Sequence, residues 1–405
     1  MQNKTSKIID DISLELKQYF DTEETQKFYT LLKESEKRKI EPYEISSENK
    51  FQISKEIESG SNIRDQIDKL LTFADSRVSQ IEFLKLSLTI TNLLINYGEL
   101  ELAIDVSDDI LTRTDKDQIS ILGETYLLQS KIAWNMSEWK DSISLCKKAY
   151  KIFDKLSDFA GMTKCENMMG TIEGEKGNIS KSKEHFEKAE SFLHNLHNNS
   201  LKAMIYLNLG VNSNIRGNYS ESKAYFLNAL NYYSKLNEPR NLARLNHNIG
   251  MLYSELNENE TAIKYFNDSI NISLEKGYLS NCAISFIAKA YSYSQLGEQD
   301  LSDAFAEKAL EISYKINDRL SIADAYRVKG IIQKNLNNFN LSEEFFENSI
   351  RLNEDFNNEI NTAESTAELG KLYESKDEDA KSKELLTKAR KFYKKIDAKT
   401  KLYDL

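Results

Sequence analysis

The side chains best able to do chemistry are few in this chain and widely spaced. Histidines stand at His185, His194, His197 and His247. His194 and His197 are three apart near a predicted helix end and could share one face of a metal ion. No third ligand accompanies them at supporting spacing, and zinc takes three or four. Cys146, Cys165 and Cys282 show no CxxC spacing, so neither a disulfide framework nor a metal knuckle is expected. Cysteines of this kind behave as small buried apolar residues. Neither GxxxxGK[ST] nor GxSxG occurs, which removes the commonest phosphate loop and nucleophile elbow. The many Asp and Glu fall mostly on predicted solvent-facing helix positions, where paired carboxylates confer solubility. Trp134 and Trp139 fit core filling. The expectation is a chain that is not an enzyme, with no cofactor and no metal.

Such residues would have to be positioned by helices. The 405 residues contain two prolines, Pro42 and Pro239, and helix interiors exclude proline. Apolar residues make up 40% and charged ones 29%, enough for a core and too polar for a membrane protein. No run of eighteen apolar residues is present, so no span is expected. The first twenty residues carry acids where a signal peptide needs an apolar stretch, which makes the cytoplasm the expected location. The net charge is -10 without any Lys/Arg block, so nucleic acid is not an expected partner.

Periodicity is the strongest signal. A glycine recurs at Gly170, Gly210, Gly250, Gly330 and Gly370, with Ala290 in the one gap, always at an interval of 40 residues. Seven positions later comes Gly177, Gly217, Asn257, Gly297, Asn337 and Asp377. These types tolerate a left-handed backbone, so the column reads as a turn between helices. A small column follows at Ser142, Ser182, Ser222, Ala262, Ser302, Ser342 and Ser382. Four residues on stand Cys146, Phe186, Phe226, Phe266, Ala306, Phe346 and Leu386, and three further on Ala149, Ala189, Ala229, Ser269, Ala309, Ser349 and Ala389. Spacings of three and four share a helix face. Small residues let two helices approach, and the aromatic is expected to fill the gap to the next pair.

The order small-Gly-small-aromatic-Ala resembles the tetratricopeptide repeat, a helical hairpin with Leu-Gly in helix A and Ala, Phe, Ala in helix B. LNLGVNSNIRGNYSESKAYFLNAL (207–230) and HNIGMLYSELNENETAIKYFNDSI (247–270) match best. The resemblance covers residues 80–397, about eight repeats. It implies an all-α, right-handed superhelical solenoid. The period is 40 where the family usually has 34, and the proline that commonly closes helix B is missing. Six residues add about 9 Å of helix per repeat. In this the repeats are similar to those of the Rap-type peptide-sensing regulators and the LGN-type adaptors.

The first repeat is offset by one residue, through Thr91, Gly98, Ala103 and Ile110. Its first helix is apolar nearly all round, which predicts burial under a neighbour. Residues 4–20, 23–38 and 63–75 read as amphipathic helices and supply that neighbour, with a polar loop over 41–62 between them. Residues 1–76 then form an N-terminal helical cap, or the small effector domain that the Rap-type resemblance implies. Residues 77–397 form the solenoid, and the charged tail 398–405 is expected to fray.

Helix A lines the inner wall of such a stack. With Gly210 at position eight, the inward positions include Asn208, Asn214, Arg244, His247, Asn248, Met251, Tyr291 and Arg327, and also Ile284, Ile287, Asp324 and Lys334. Asparagine amides can clamp an extended backbone, and arginine can hold a carboxylate. The leading expectation is therefore a scaffold binding a protein or extended peptide in its concave groove. The Rap-type resemblance implies a second: a peptide-regulated switch acting on a response regulator through the N-terminal helices. A structural part assembling through its edges is a third, and the sequence indicates no oligomeric state.

Overall fold

The structure is a computed structural model. It describes residues 4–21, 23–26, 53–115, 117–398, 401–402 and 405, with side chains from residue 8 in the first stretch and from 63 in the second. Among these residues there are helices and no strands, as the all-α expectation requires. Contacts divide the chain into two compact units, residues 1–165 and 166–405.

The first unit holds α1 (Lys4–Leu16), α2 (Ile53–Asp75), and the hairpins α3/α4 (Gln80–Tyr97, Leu100–Arg113) and α5/α6 (Ile119–Asn135, Trp139–Lys155). Ile8, Ile12 and Leu16 of α1 and Ile63, Ile67 and Leu70 of α2 share one core with Phe83, Leu84, Leu86 and Ile90 of α3. That shared core is why α3 is apolar nearly all round. Tyr97 donates to Asp11 at 2.5 Å, and a capping box between Ser79 and Glu82 starts α3. Helix α2 begins at Ile53, so the last ten residues of the expected loop 41–62 are helical instead. Residues 23–26 are helical, while residues 27–38 of the expected second helix and 41–52 of the loop lie outside the described residues.

Helix α7 (Phe159–Glu175), within which the division falls, pairs with α8 (Ile179–Ser191). Five hairpins follow: α9/α10 (Asn199–Ile215, Tyr219–Tyr233), α11/α12 (Pro239–Glu255, Asn259–Lys276), α13/α14 (Leu279–Gln295, Gln299–Lys315), α15/α16 (Arg319–Asn335, Phe339–Asp355) and α17/α18 (Glu359–Ser375, Asp379–Lys395). The expected turn column is left-handed throughout, from Gly177 and Gly217 through Asn257, Gly297, Asn337 and Asp377. A second left-handed column, Ser157, Gly277, Asn317, Asn357 and Asp397, ends the B helices half a period away.

The glycine column is a steric requirement. A Cβ on Gly210 would lie 2.5 Å from the Phe226 ring, and one on Gly250 2.5 Å from Phe266. Each ring therefore sits on the glycine of its own hairpin. It also reaches the next, since Phe226 clusters with Leu245 and Ile249 of α11. The small column ties the two helices together, because Ser302 donates to the Ala290 carbonyl at 2.7 Å and Ser342 to that of Gly330 at 2.8 Å.

The C-terminal segment departs from the expected frayed tail. Ile396 and Ala398 are buried with Ile179 of α8 and with Ala363, Ala389 and Tyr393, and the partly buried Leu402 and Leu405 pack against them. The Leu402 amide donates to the Ala398 carbonyl. Gly177 lies so close to Phe392 that a Cβ there would be 3.4 Å from its ring. The first and last hairpins of this unit therefore meet.

Candidate functional site

Within the second unit, four successive A helices present one face to a cavity of about 640 Å³. The face repeats with the 40-residue period: Ile284 and Asp324 are joined by Glu364; His247 and Ile287 by Arg327 and Ala367; Ala288 and Val328 by Glu368; Met251 and Tyr291 by Lys371. Spacings of three and four within each helix and 40 between helices make this a continuous wall. Its composition changes along the stack. On α11 and α13 it is largely apolar, through Met251, Ile284, Ile287 and Ala288, and on α15 and α17 it is charged.

The charged part is an ordered network. Arg327 pairs with Glu364 at 3.2 Å, and Lys334 and Lys371 reach Glu368 at 2.9 and 3.1 Å. Lys401 lies 2.9 Å from Glu255 and 3.5 Å from Glu364. Asn361 donates to Asp324 at 2.8 Å. Burial works against the Glu364 carboxylate, but Lys401 and Arg327 hold it below the ordinary carboxylate range. Asp324 has no such compensation: burial pushes it up to about 7, with Arg327 only partly opposing. Burial, with Arg244 adding to it, holds His247 down to about 4, so its imidazole is neutral at physiological pH. Burial also pushes the Tyr291 phenol up to about 12. Inside the network, the Arg327 Nε is buried without a hydrogen-bond partner.

Of the eight residues singled out from sequence, His247, Met251, Tyr291 and Arg327 line this cavity together. Asn208, Asn214, Arg244 and Asn248 do not. Asn208 donates to Asn167 of α7 at 2.6 Å, and Asn248 to the Arg244 carbonyl of its own helix at 2.9 Å. The two amides hold neighbouring helix and backbone groups and form no mutual ladder. Arg244 is exposed, and the Asn214 Oδ1 is buried without a partner. His247 Nδ1 lies 3.2 Å from the Ser285 hydroxyl of the next A helix. Glu364, Glu368 and Lys371 were missed, although carrying the inward positions one repeat further would have found them. Glu255, Lys401 and Leu405 had no sequence signal, because they reach the cavity through the way the unit closes. A smaller cavity of about 270 Å³ is lined by Thr362, Ala363, Thr366, Ala389 and Phe392, with Glu354, Glu359 and Lys388 also on its wall.

Among the described residues no cluster of His, Cys, Asp or Glu could hold a metal ion. No helix among them is long and apolar enough to cross a membrane.

Residues 201–275, 283–315 and 323–356 match models of the tetratricopeptide repeat. No curated protein matches the chain in sequence. Among solved structures, a Rap protein complexed with competence and sporulation factor superposes with a TM-score of 0.60 at 15% identity, over 80% of this chain and 97% of that one. Aspartyl phosphate phosphatase F from Bacillus subtilis superposes with a TM-score of 0.58 at 15% identity, over 98% and 96% of the two chains. The apo quorum sensor NprR from B. thuringiensis gives 0.58 at 15% identity, over 84% and 98%. At this identity the likeness is one of fold. Residues 201–275, 283–315 and 323–356 carry tetratricopeptide repeats, and the fold of the chain is similar to that of the Rap and NprR proteins.

Proposed function

We propose that the chain is a binding scaffold that takes an extended peptide or protein segment in the groove of its second unit, and that it acts by binding and not by chemistry of its own. The supporting observation is the wall itself. Four A helices offer apolar pockets at Met251, Ile284 and Ile287 next to fixed charges at Arg327, Glu364 and Glu368. Such a surface suits a chain with alternating apolar and polar side chains. The unpartnered Arg327 Nε adds a buried donor that a backbone carbonyl or a carboxylate would satisfy. The NprR protein crystallised in complex with its cognate peptide NprX has a similar fold, with a TM-score of 0.51 at 17% identity.

The test is selection of a random decapeptide library against the intact chain. Enriched peptides should lose about tenfold or more in affinity on Arg327→Gln, the loss of one charge-assisted contact, and also on Met251→Lys, with helicity unchanged. No enrichment, or peptides indifferent to both substitutions, refutes the groove reading.

A second reading is favoured by the likeness to aspartyl phosphate phosphatase F, which runs over 98% of this chain. In it, a peptide in the groove alters how the N-terminal helices engage a signalling partner. Gln18 gives its amide to Glu15 at 2.6 Å, a neighbour in its own segment. Limited proteolysis within residues 1–76 that is unchanged by any groove peptide refutes this reading.

A further inference from the structure

The segment after α18 enters the groove. Asp397, in the left-handed conformation, turns the chain off the end of α18, and its carboxylate pairs with Arg216 at the end of α9 at 3.0 Å. Lys401 lies in the cavity, between Glu255 of α11 and Glu364 of α17. Leu405 also lines the cavity, and its carbonyl accepts a hydrogen bond from Arg390. One short segment therefore bridges helices from the first part of the stack, α9 and α11, to the last, α17 and α18. It does so with ion pairs at two separate anchors. Its apolar residues Ile396 and Ala398 are buried in the same place.

Lys401 follows the register of the repeats on one side. It lies 37 residues after Glu364, the separation at which Asn361 meets Asp324. Its contact with Glu255, 146 residues away, has no counterpart in that register. That contact arises only because the segment crosses the groove.

We propose that the segment carrying Ile396, Ala398, Lys401 and Leu405 is an internal strap that occupies part of the groove and latches α9 and α11 to the last hairpin, so that ligand entry requires strap release. This rests on the groove being the binding surface. The strap and an incoming peptide compete for one space, and the apparent affinity of a ligand falls by the fraction of molecules in which the strap is open. A tethered segment acts at an effective concentration of the order of millimolar, so a weak intrinsic interaction is enough to keep it closed.

The test uses full-length protein and a fluorescent synthetic peptide of residues 397–405, DAKTKLYDL, read by anisotropy. The intact chain should bind it weakly, because its own strap holds the site. Asp397→Ala and Lys401→Ala each release one anchor and should tighten binding at least about tenfold, the change expected if the strap is closed in more than nine molecules in ten. The swap Arg216→Asp with Asp397→Arg restores the first pair and is read by hydrogen exchange alone, because the carboxylate it places at position 216 opposes the aspartate of the probe peptide. Hydrogen exchange at 396–405 should rise in both single variants and fall back in the swap. Equal affinity in the intact chain and both single variants overturns the proposal. So does failure of the peptide to bind any of them, and that result leaves the groove reading to the library selection, which does not depend on the strap.

Discussion

Gly250→Ala isolates the rule that builds the repeat. On an exposed helix this change would stabilise by about 1 kcal/mol through helix propensity. Here the new Cβ would lie 2.5 Å from the Phe266 ring, and Phe266 is fully buried, so the ring has no solvent to move into. Overpacking of this kind costs about 1–3 kcal/mol, and a contact this short belongs at the upper end, leaving a net loss of about 2 kcal/mol. Phe266→Ala alone should cost about 3–5 kcal/mol as a cavity. The chain already contains the paired solution: Ala290 stands where the other repeats have glycine, and Ala306, sixteen residues on, stands where they have a bulky residue. Both alanines are fully buried. Gly250→Ala with Phe266→Ala recreates that pair. The double variant should be more stable than the sum of the singles by about 1–3 kcal/mol, since the methyl no longer meets the ring and partly refills the space. Urea unfolding of the full chain, followed by circular dichroism, measures the cycle. Additivity within about 0.5 kcal/mol would refute the claim that ring and glycine are one steric unit.

Other outcomes follow from the same contacts. Burial raises Asp324 from an ordinary 3.8 to about 7, so between those values the folded chain binds a proton that the unfolded one has released, and stability falls as pH rises through that window. Asp324→Asn keeps the acceptor for Asn361 and should stabilise the chain by about 1–3 kcal/mol at pH 8 while changing little at pH 4; identical pH profiles of Tm would contradict this. His247 is held neutral, so peptide affinity should show no step between pH 5 and 6.5 that His247→Gln abolishes. Asn337 has a φ of 62°, so Asn337→Val should cost about 1–2 kcal/mol and Asn337→Gly almost nothing, as read by thermal unfolding. Tyr97→Phe removes the bond to Asp11 and should cost about 1 kcal/mol, with faster hydrogen exchange in α1.

Much of the site was legible because the inner wall obeys the repeat. Once Gly210 set the register, His247, Met251, Tyr291 and Arg327 followed by arithmetic, and all four line the cavity. Asn208 and Asn248 occupy an inward column too, yet their amides are taken up by Asn167 and by the Arg244 carbonyl. Column position tells which way a residue points. It does not tell which neighbour captures its hydrogen bonds.

The sequence by itself determined the local geometry. Left-handed turn residues every 40 positions, small residues where helices touch, and a bulky side chain opposite each column glycine are short-range demands that any one hairpin must meet. Tertiary structure alone decided what closes the groove. Glu255 and Lys401 are 146 residues apart, and their meeting depends on how small rotations between hairpins add up around the second unit. No single repeat encodes that sum, so a segment that reads as a charged tail comes to lie between two half-buried carboxylates.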